Sequence, residues 1–188
     1  MDYQSDQEYI KLDFTQKRFQ IGEYESCTFI DCNFSNIDLS ACNFTDCTFR
    51  GCNMGMVKLS NTVLNDVRFN ECKLLGLHFE DCNKVIFAVS FKKSQLPLSC
   101  FYQLKMKKTK FIECQLQEVD FTETDLTESI FDECDFQGAV FDNTILEKVD
   151  LSGSFNFSIN PNQNRIKHAT FSRTELAGLL DSFHIKIV

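Results

Sequence analysis

A repeat with a period of five residues is the feature that most constrains the fold of this chain. Every fifth residue from Phe14 to Phe79 is apolar, fourteen positions without an exception. The phase slips by two residues at Lys84, and fourteen more apolar residues follow at the same spacing from Ile86 to Leu151. Fifteen of the 20 Phe occupy these central positions. Because only 43% of the chain is hydrophobic, composition alone cannot produce 28 apolar residues in 28 positions.

A second inward position lies two residues before each centre and takes small or medium side chains. Nine of the ten Cys occupy it, including Cys32, Cys52 and Cys72. Val, Ser, Thr, Ala or Leu fill most of its other occurrences. We therefore expect the cysteines to be reduced, buried side chains. A zinc site is not expected, because the spacing of Cys42 and Cys47 only repeats the period and lacks His partners.

Neither regular backbone conformation accommodates a period of five. On an α-helix five residues turn through about 500°, so the centres would spiral around the cylinder. In a β-strand an odd spacing would place alternate centres on opposite faces. The chain must therefore turn a corner about every five residues. Repeats that each contact only their neighbours along an axis form a solenoid.

The residues around each centre resemble the pentapeptide-repeat family, whose pattern is a small residue, any residue, Leu or Phe, and two polar residues. The segments Cys42–Asp46 and Ser129–Glu133 match this pattern well, and the resemblance covers residues 14–151. It implies an all-β fold, a right-handed quadrilateral β-helix with four pentapeptides per coil. The 28 repeats then make about seven coils, and a spacing of about 4.8 Å between strands gives a rod roughly 34 Å long.

Interruptions of the repeat divide the chain into segments. We expect an N-terminal cap segment at 1–13, the β-helix at 14–151 with a slip near 83–85, an irregular turn and final partial coil at 152–171, and a C-terminal helix with an apolar tail at 172–188. Within the β-helix, residues 20 apart should stack, so that Phe101, Phe121 and Phe141 form one column. Ser172 and Glu175 have the spacing of a capping box, which predicts a short α-helix.

Apolar residues follow this capping box at helical spacing. The candidate dimerisation residues are Leu176, Leu179, Leu180, Phe183, Ile185 and Ile187. An open β-helix exposes its core and its strand edge at the last coil, so the helix is expected to cover that end. The helix and tail also resemble the dimerisation module of Qnr-type quinolone-resistance and microcin-immunity pentapeptide proteins. This resemblance implies a homodimer joined by its C-terminal ends, and a cap on a monomer is the alternative.

Charge is distributed unevenly along the chain. The net formal charge is -8, and residues 81–110 alone carry a net charge of +6 because they contain seven Lys and one acid. Residues 111–151 carry -11. We interpret the Lys cluster as a solvated patch, with a second contact surface as the alternative. The overall acidity disfavours direct nucleic-acid binding and favours a basic protein surface as partner.

The acidic block supplies the candidate partner-binding residues. They are Glu113, Glu118, Asp120, Glu123, Asp125, Glu128, Asp132, Glu133, Asp135, Asp142, Glu147 and Asp150. One interpretation is solubility; the other is mimicry of a nucleic-acid backbone. Since DNA spaces its phosphates by about 3.4 Å along a strand and coils stack at about 4.8 Å, any mimicry concerns shape and potential.

The resemblance also suggests a target. Similar proteins bind DNA gyrase or topoisomerase IV, which makes this chain a candidate DNA-mimicking rod that modulates a topoisomerase. Qnr proteins of Gram-negative bacteria carry projecting loops needed for drug protection, whereas the repeat of this chain is interrupted only by the two-residue slip and by the segment 152–165. A general protein-binding or structural scaffold with an unrelated partner is the alternative function.

Other functional classes receive little support from the sequence. No phosphate-binding loop, nucleophile elbow or zinc-protease motif occurs, and His78, His168 and His184 are isolated along the chain. We therefore expect neither catalysis nor a cofactor. No apolar run reaches the length of a membrane-spanning helix, and the acidic N-terminal residues are unlike a signal peptide, so a cytoplasmic location without membrane association is expected.

Overall fold

The computed structural model describes residues 2–186 and is a parallel β-solenoid of about eight coils. The solenoid predicted from the period of five and the β-helix implied by the family resemblance are thus confirmed. Each coil turns through four sides, and hydrogen bonds between successive coils join all the strands into one parallel sheet. The strands are short because the chain turns a corner after each of them.

Twelve strands are present in the described residues. They are β1 (Asp2–Ser5), β2 (Glu8–Ile10), β3 (Gly22–Glu25), β4 (Thr28–Ile30), β5 (Asn43–Thr45), β6 (Thr48–Arg50), β7 (Val63–Asn70), β8 (Phe87–Lys92), β9 (Lys110–Ile112), β10 (Ile130–Asp132), β11 (Asp150–Leu151) and β12 (Thr170–Phe171). Three short 3-10 helices accompany them, at Phe79–Asp81, Arg173–Leu179 and Asp181–Phe183. The remaining corners carry isolated bridges to the coils on either side.

Residues 20 apart pair along the axis, as in Phe29 with Phe49 and Phe111 with Phe131. This register defines four faces, which we name by their stacked central residues. Face A carries Phe29, Phe49, Phe69, Phe91, Phe111, Phe131 and Leu151; face B carries Phe34, Met54, Leu74, Leu96, Leu116 and Phe136; face C carries Leu39, Leu59, Phe79, Phe101, Phe121 and Phe141; face D carries Tyr24, Phe44, Leu64, Met106, Leu126 and Leu146.

Central side chains fill the interior as continuous columns. The ring centroids of Phe101 and Phe121 lie 5.3 Å apart at an interplanar angle of 6°, and those of Phe121 and Phe141 lie 5.3 Å apart at 13°. The predicted aromatic column is confirmed. Rings on adjacent faces meet edge to face, as Phe111 and Phe121 do at 87°. Offset stacking within a column and edge contacts between columns both suit the quadrupole of an aromatic ring.

The second inward position carries hydrogen-bond donors as well as small side chains. The Thr124 hydroxyl donates to the carbonyl of Phe101 at 2.8 Å, and the Cys47 thiol lies 3.2 Å from the carbonyl of Tyr24. In both pairs the acceptor belongs to the preceding coil. All ten cysteines are free thiols, and nine are buried. Ser, Thr and Cys therefore share this position because each is small and can satisfy a buried carbonyl.

Corners are made by residues in the left-handed backbone region, two positions after most centres. Asp31, Asn36 and Ala41 have φ angles of 52°, 59° and 60°. L-residues adopt this region at an energetic cost, and Asn and Asp tolerate it better than most. Here the amide of each corner residue donates to the next coil, for example from Asp31 to Arg50 at 2.8 Å. The hydrogen bond offsets part of the strain.

The solenoid begins earlier than the repeat predicted. Strand β1 pairs with β3 and β2 pairs with β4, both 20 residues along, so that Tyr9 lies beside Phe29. Residues 2–13 thus belong to the first coil and do not form a separate cap segment. The predicted boundary at Phe14 was wrong because this coil contributes few buried residues, which leaves little hydrophobic periodicity to detect. The extra coil also raises the predicted count of seven to about eight.

The slip near 83–85 places a different residue at the centre from the one predicted. Ile86 is 46% exposed, and Phe87 instead pairs with Leu64 and packs against the core. The Asn83 side chain accepts hydrogen bonds from the amides of Val85 and Ile86, at 3.0 and 3.1 Å. This side-chain bond closes a tight turn, which holds Ile86 on the outside of the rod.

Inward positions persist through the irregular segment 152–171. Phe157 is buried there while Asn156 is exposed, so the centre shifts by one residue. Asn164 occupies a second inward position, where its side chain accepts from the Thr144 amide at 2.8 Å and donates to the Phe141 carbonyl at 3.0 Å. An Asn can thus replace the usual small residue because it satisfies the buried backbone groups.

A helix follows Ser172, but it is wound as 3-10 turns rather than as the predicted α-helix. The expected capping box does not form, since Ser172 makes no capping bond and contacts the Thr174 hydroxyl at 2.8 Å. The Glu175 carboxylate instead accepts the amide of Asn156 at 3.3 Å. Contacts with the last coil thus replace the local capping bonds. Leu179 packs against the core and closes this end.

Candidate interaction surfaces

The acidic block wraps around the rod rather than lining one side of it. Face A carries Glu113, Asp132, Glu133 and Asp150; face B carries Glu118 and Asp135; face C carries Asp120, Glu123 and Asp142; face D carries Asp125, Glu128 and Glu147. None of the twelve is buried. All lie on the outside because they occupy the repeat positions between the two inward ones.

Face D neutralises its own acids. The Glu128 carboxylate lies 2.9 Å from the Lys148 ammonium and 3.6 Å from that of Lys108. Glu147 pairs with Arg165 at 2.7 Å. The hydrogen bond from Lys148, followed by the charges of both lysines, lowers the pKa of Glu128 below its ordinary value. These residues come from four successive coils, so the pairs form by stacking and not by proximity in sequence.

Two further acids are paired. Asp125 lies 3.3 Å from the Lys107 ammonium. Burial raises the pKa of the Asp125 carboxyl, but hydrogen bonds from Thr127 and then Lys107 outweigh burial, so the pKa lies below its ordinary value. On face A, Glu113 lies 3.4 Å from Lys93. Four acids of the block are therefore partly neutralised by cations of this chain.

The other eight acids have no ion pair among residues 2–186. They are Glu118, Asp120, Glu123, Asp132, Glu133, Asp135, Asp142 and Asp150. Some accept hydrogen bonds from neutral groups, as Glu123 does from Gln103 at 2.7 Å and Asp135 does from Gln117 at 2.7 Å. Such bonds orient a carboxylate without cancelling its charge. We call these eight residues the open acids; they lie on faces A, B and C.

The C-terminal helices expose an apolar surface. Leu176 is 43% exposed, Phe183 54% and Ile185 58%. Leu180 is also exposed, whereas Leu179 turns inward and belongs to the cap. Of the predicted dimerisation residues, Ile187 lies outside the described part of the chain. The same short segment therefore covers the last coil with one side and presents side chains outward with the other.

Coil stacking brings His78 beside Cys100, although the two residues are far apart in the sequence. The His78 ring lies 2.8 Å from Glu80, and the Cys100 sulfur lies 3.9 Å from Asp120. Burial, followed by a hydrogen bond with Glu80, raises the pKa of the Cys100 thiol to about 12. The thiol thus stays protonated at neutral pH, and a protonated thiol is a poor nucleophile.

Metal-ligating side chains do not cluster within residues 2–186, where no group of three or more could hold an ion. Over the same residues, no helix combines the length and the apolar character needed to cross a membrane. The surface charge and the exposed C-terminal side chains of the described residues are the features that can mediate an interaction with a partner.

The five-residue sides, the filled interior and the charged exterior place this protein in the class of β-solenoid proteins. Comparison of its sequence with family models identifies the family. The family model for the pentapeptide repeat region matches residues 23–96 and 84–179. The chain belongs to the pentapeptide-repeat family. No curated protein has significant sequence similarity to it.

Solved structures of the same fold include QnrB1, a plasmid-mediated fluoroquinolone resistance protein. The alignment with a trypsin-treated form of QnrB1 covers 100% of both chains, with 16% identity and a TM-score of 0.54. Full-length QnrB1 covers 98% of this chain and 100% of its own, with 16% identity and a TM-score of 0.47. The match to HetL, a pentapeptide repeat protein involved in heterocyst differentiation regulation from the cyanobacterium Nostoc sp. strain PCC 7120, covers 85% of this chain and 90% of HetL, with 10% identity and a TM-score of 0.36.

Proposed function

We propose that this protein is a non-enzymatic interaction protein whose open acids bind a DNA-binding surface of DNA gyrase or topoisomerase IV. The pentapeptide-repeat fold supports the broader role of a protein-interaction scaffold. The observation that carries the narrower role is the division of the acidic block into a face D whose acids are all paired and faces A, B and C, which carry the open acids. The topoisomerase target follows from the resemblance to Qnr-type proteins.

Electrostatics explains why such a surface suits this partner. A groove that holds DNA presents a dense array of cations, and an acidic rod of comparable width meets the same potential. The open acids occupy faces A, B and C, so the unpaired negative charge of the acidic block lies on three sides of the rod. A partner that encloses the rod on three sides would gain most from this arrangement.

The exposed C-terminal side chains support a homodimer joined at its C-terminal ends. Leu176, Phe183 and Ile185 are exposed apolar residues in the segment that follows the last coil. Pairing two such ends removes apolar surface from water, which is favourable by about 25 cal/mol per Å². The dimer would place two acidic blocks beside a central joint and lengthen the acidic rod.

A supercoiling assay with purified gyrase tests the proposed target. The wild-type protein is expected to inhibit supercoiling. A variant that neutralises three open acids, Glu123→Gln, Asp132→Asn and Glu133→Gln, is expected to need about tenfold more protein for equal inhibition, because close charge pairs at interfaces contribute on the order of 1.5 kcal/mol or more.

The matched control removes the same charge from face D. The variant Asp125→Asn, Glu128→Gln and Glu147→Gln should inhibit nearly as well as the wild type, because those carboxylates already contact cations of this chain. Equal losses in the two variants would contradict a role specific to the open acids. A wild-type protein without effect at tens of micromolar would end the topoisomerase proposal, and a pull-down that returns another consistent partner would replace it.

Light scattering tests the dimer. The wild-type protein is expected to have twice the mass of the chain at micromolar concentration, and the variant Phe183→Ser, Ile185→Ser is expected to be a monomer. Ile21→Ser is the control, because Ile21 is 50% exposed at the other end of the rod. A monomeric wild-type protein would contradict the proposal and leave only the capping role of the helix.

A further inference from the structure

The two-residue slip opens a cleft in the side of the rod, at the edge between faces D and A. The register of β7 against β8 shifts between Leu64 and Val67. On the far side of the slip, no backbone hydrogen bond joins 86–88 to 105–108 among the described residues. Elsewhere such bonds hold successive coils together. Here the coils separate, and the resulting cleft has a volume of about 280 Å³.

Cations line this cleft. Its charged lining residues are Asp66, Arg68, Lys105, Lys107, Lys108 and Lys110. Lys107 and Lys108 already contact acids of the next coil, and Arg68 lies 3.7 Å from Asp46. Lys105 and Lys110 have no ion pair within residues 2–186. The cleft thus holds more positive charge than its own acids compensate.

Stacking arranges polar groups along one wall of the cleft. Arg68 pairs with Ser90 in the β7–β8 register, and the register of β8 with β9 places Ser90 beneath Lys110. At about 4.8 Å between coils, the backbones of Arg68 and Lys110 lie roughly 10 Å apart with the serine between them. Two long cationic side chains flank a hydroxyl, an arrangement that can contact several oxygens of one anion.

The surroundings of the cleft limit the size of that anion. Asp125 and Glu128 lie on the coil above, and Asp46 lies on the coil below. Asp66 is the one acid that lines the cleft itself. A nucleic-acid strand crossing the cleft would run onto the carboxylates above and below it, whereas an anion confined to the cleft would meet Asp66 alone among these acids, beside five cationic side chains. We propose that the cleft binds a compact phosphate compound of the pyrophosphate class, through Lys105, Lys110 and Arg68.

This site is separate from the proposed topoisomerase surface, since it uses cations rather than the open acids. Isothermal titration calorimetry with inorganic pyrophosphate tests it, with the ionic strength balanced by sodium chloride. One pyrophosphate is expected to bind per chain. The variant Lys105→Gln, Lys110→Gln should bind about tenfold more weakly, because two charge-assisted contacts are lost.

The matched control is Lys58→Gln, Lys73→Gln, which removes the same charge from exposed positions on faces C and B. Its affinity should remain within a factor of about two of wild type, since distant exposed charges are screened by salt. Ser90→Glu places a carboxylate in the cleft and should abolish binding, and circular dichroism checks that each variant is folded. Absence of binding heat, or equal weakening in the two lysine variants, would overturn the site. Duplex DNA of 20 base pairs that binds with the same lysine dependence would overturn the restriction to compact anions.

Discussion

At the scale of single residues, the second inward position is defined by hydrogen bonding as much as by size. The Ser154 hydroxyl donates to the Phe131 carbonyl at 3.0 Å and accepts from the Cys134 amide at 3.2 Å. The hydroxyl thus bridges two backbone groups of the preceding coil. The sequence pattern predicted that this position faces inward, and the buried Cys, Ser and Thr confirm it. It did not reveal the donor role, because Val and Leu fill the same position elsewhere in the chain.

Removal of the Ser154 hydroxyl tests this role. The variant Ser154→Ala is expected to lower the free energy of unfolding by about 1–3 kcal/mol, because a buried amide and a buried carbonyl lose a partner. Ser152→Ala is the control, since Ser152 is exposed and its side chain makes no hydrogen bond in the described structure. Urea denaturation measures both. Similar changes in the two variants would show that the hydroxyl does not satisfy these groups.

At the scale of elements, the repeating side was predictable and its interruptions were not. The period of five places 27 of the 28 central residues in the core or against it. The exception, Ile86, sits where the Asn83 side chain closes a turn that hydrophobic spacing cannot indicate. The C-terminal helix was located correctly but given the wrong winding. Tertiary contacts with the last coil set its geometry, and a local capping pattern does not contain them.

Gly178 shows how tightly the cap fits. A Cβ on this residue would overlap the Phe157 carbonyl oxygen, and the Gly178 carbonyl accepts the Ile159 amide at 2.9 Å. The variant Gly178→Ala is therefore expected to detach the cap while leaving the coils folded. Limited trypsin digestion should cleave after Arg173 about tenfold faster. If the free energy of opening the cap falls by roughly 1.4 kcal/mol, the population of the open, cleavable state rises by that factor.

The control for this variant is Gly55→Ala. A Cβ there meets the Asn53 side chain at 3.6 Å and the Leu75 side chain at 3.7 Å, which are ordinary contacts. Its digestion pattern should match the wild type. Unchanged cleavage after Arg173 in Gly178→Ala would mean that the cap accommodates the methyl group by moving with the last coil.

At the scale of the whole molecule, the rod separates an interior of aromatic rings and thiols from an exterior of charge. The sequence predicted which acids form the acidic block but not which of them are paired with cations. Glu128, for example, meets Lys108 and Lys148 because each lies 20 residues away, one coil below or above. Which acids remain unpaired depends on contacts between coils on all four faces. The basic cleft is also a property of the assembled coils, since Arg68 and Lys110 are far apart along the chain.

Thiols that are wholly or partly buried make the free energy of unfolding depend on pH. Burial raises the pKa of Cys47 to about 12. Burial and a hydrogen bond with Glu80 raise that of Cys100 to the same value. An unfolded thiol ionises near pH 8.5, so above that pH the unfolded chain has released protons that the folded chain keeps until about pH 12. The free energy of unfolding is therefore expected to fall as pH rises through this window.

Urea midpoints measured at pH 8, 9 and 10 check this expectation. The variant Cys47→Ser, Cys100→Ser should show a smaller decline than the wild type, because two of the groups that ionise only on unfolding are gone. A decline of equal steepness in both proteins would assign the pH dependence to other groups.

The two-residue slip has a consequence for how the chain tolerates changes in length. Register is lost at Phe87 and is restored by Phe91, which pairs with Phe69 below and Phe111 above. Each coil takes its alignment from the coil beneath it rather than from its distance to the start of the chain. An insertion is therefore absorbed where it occurs, and every later coil keeps its columns. The number of residues in one coil can therefore change without shifting the register of the coils that follow it.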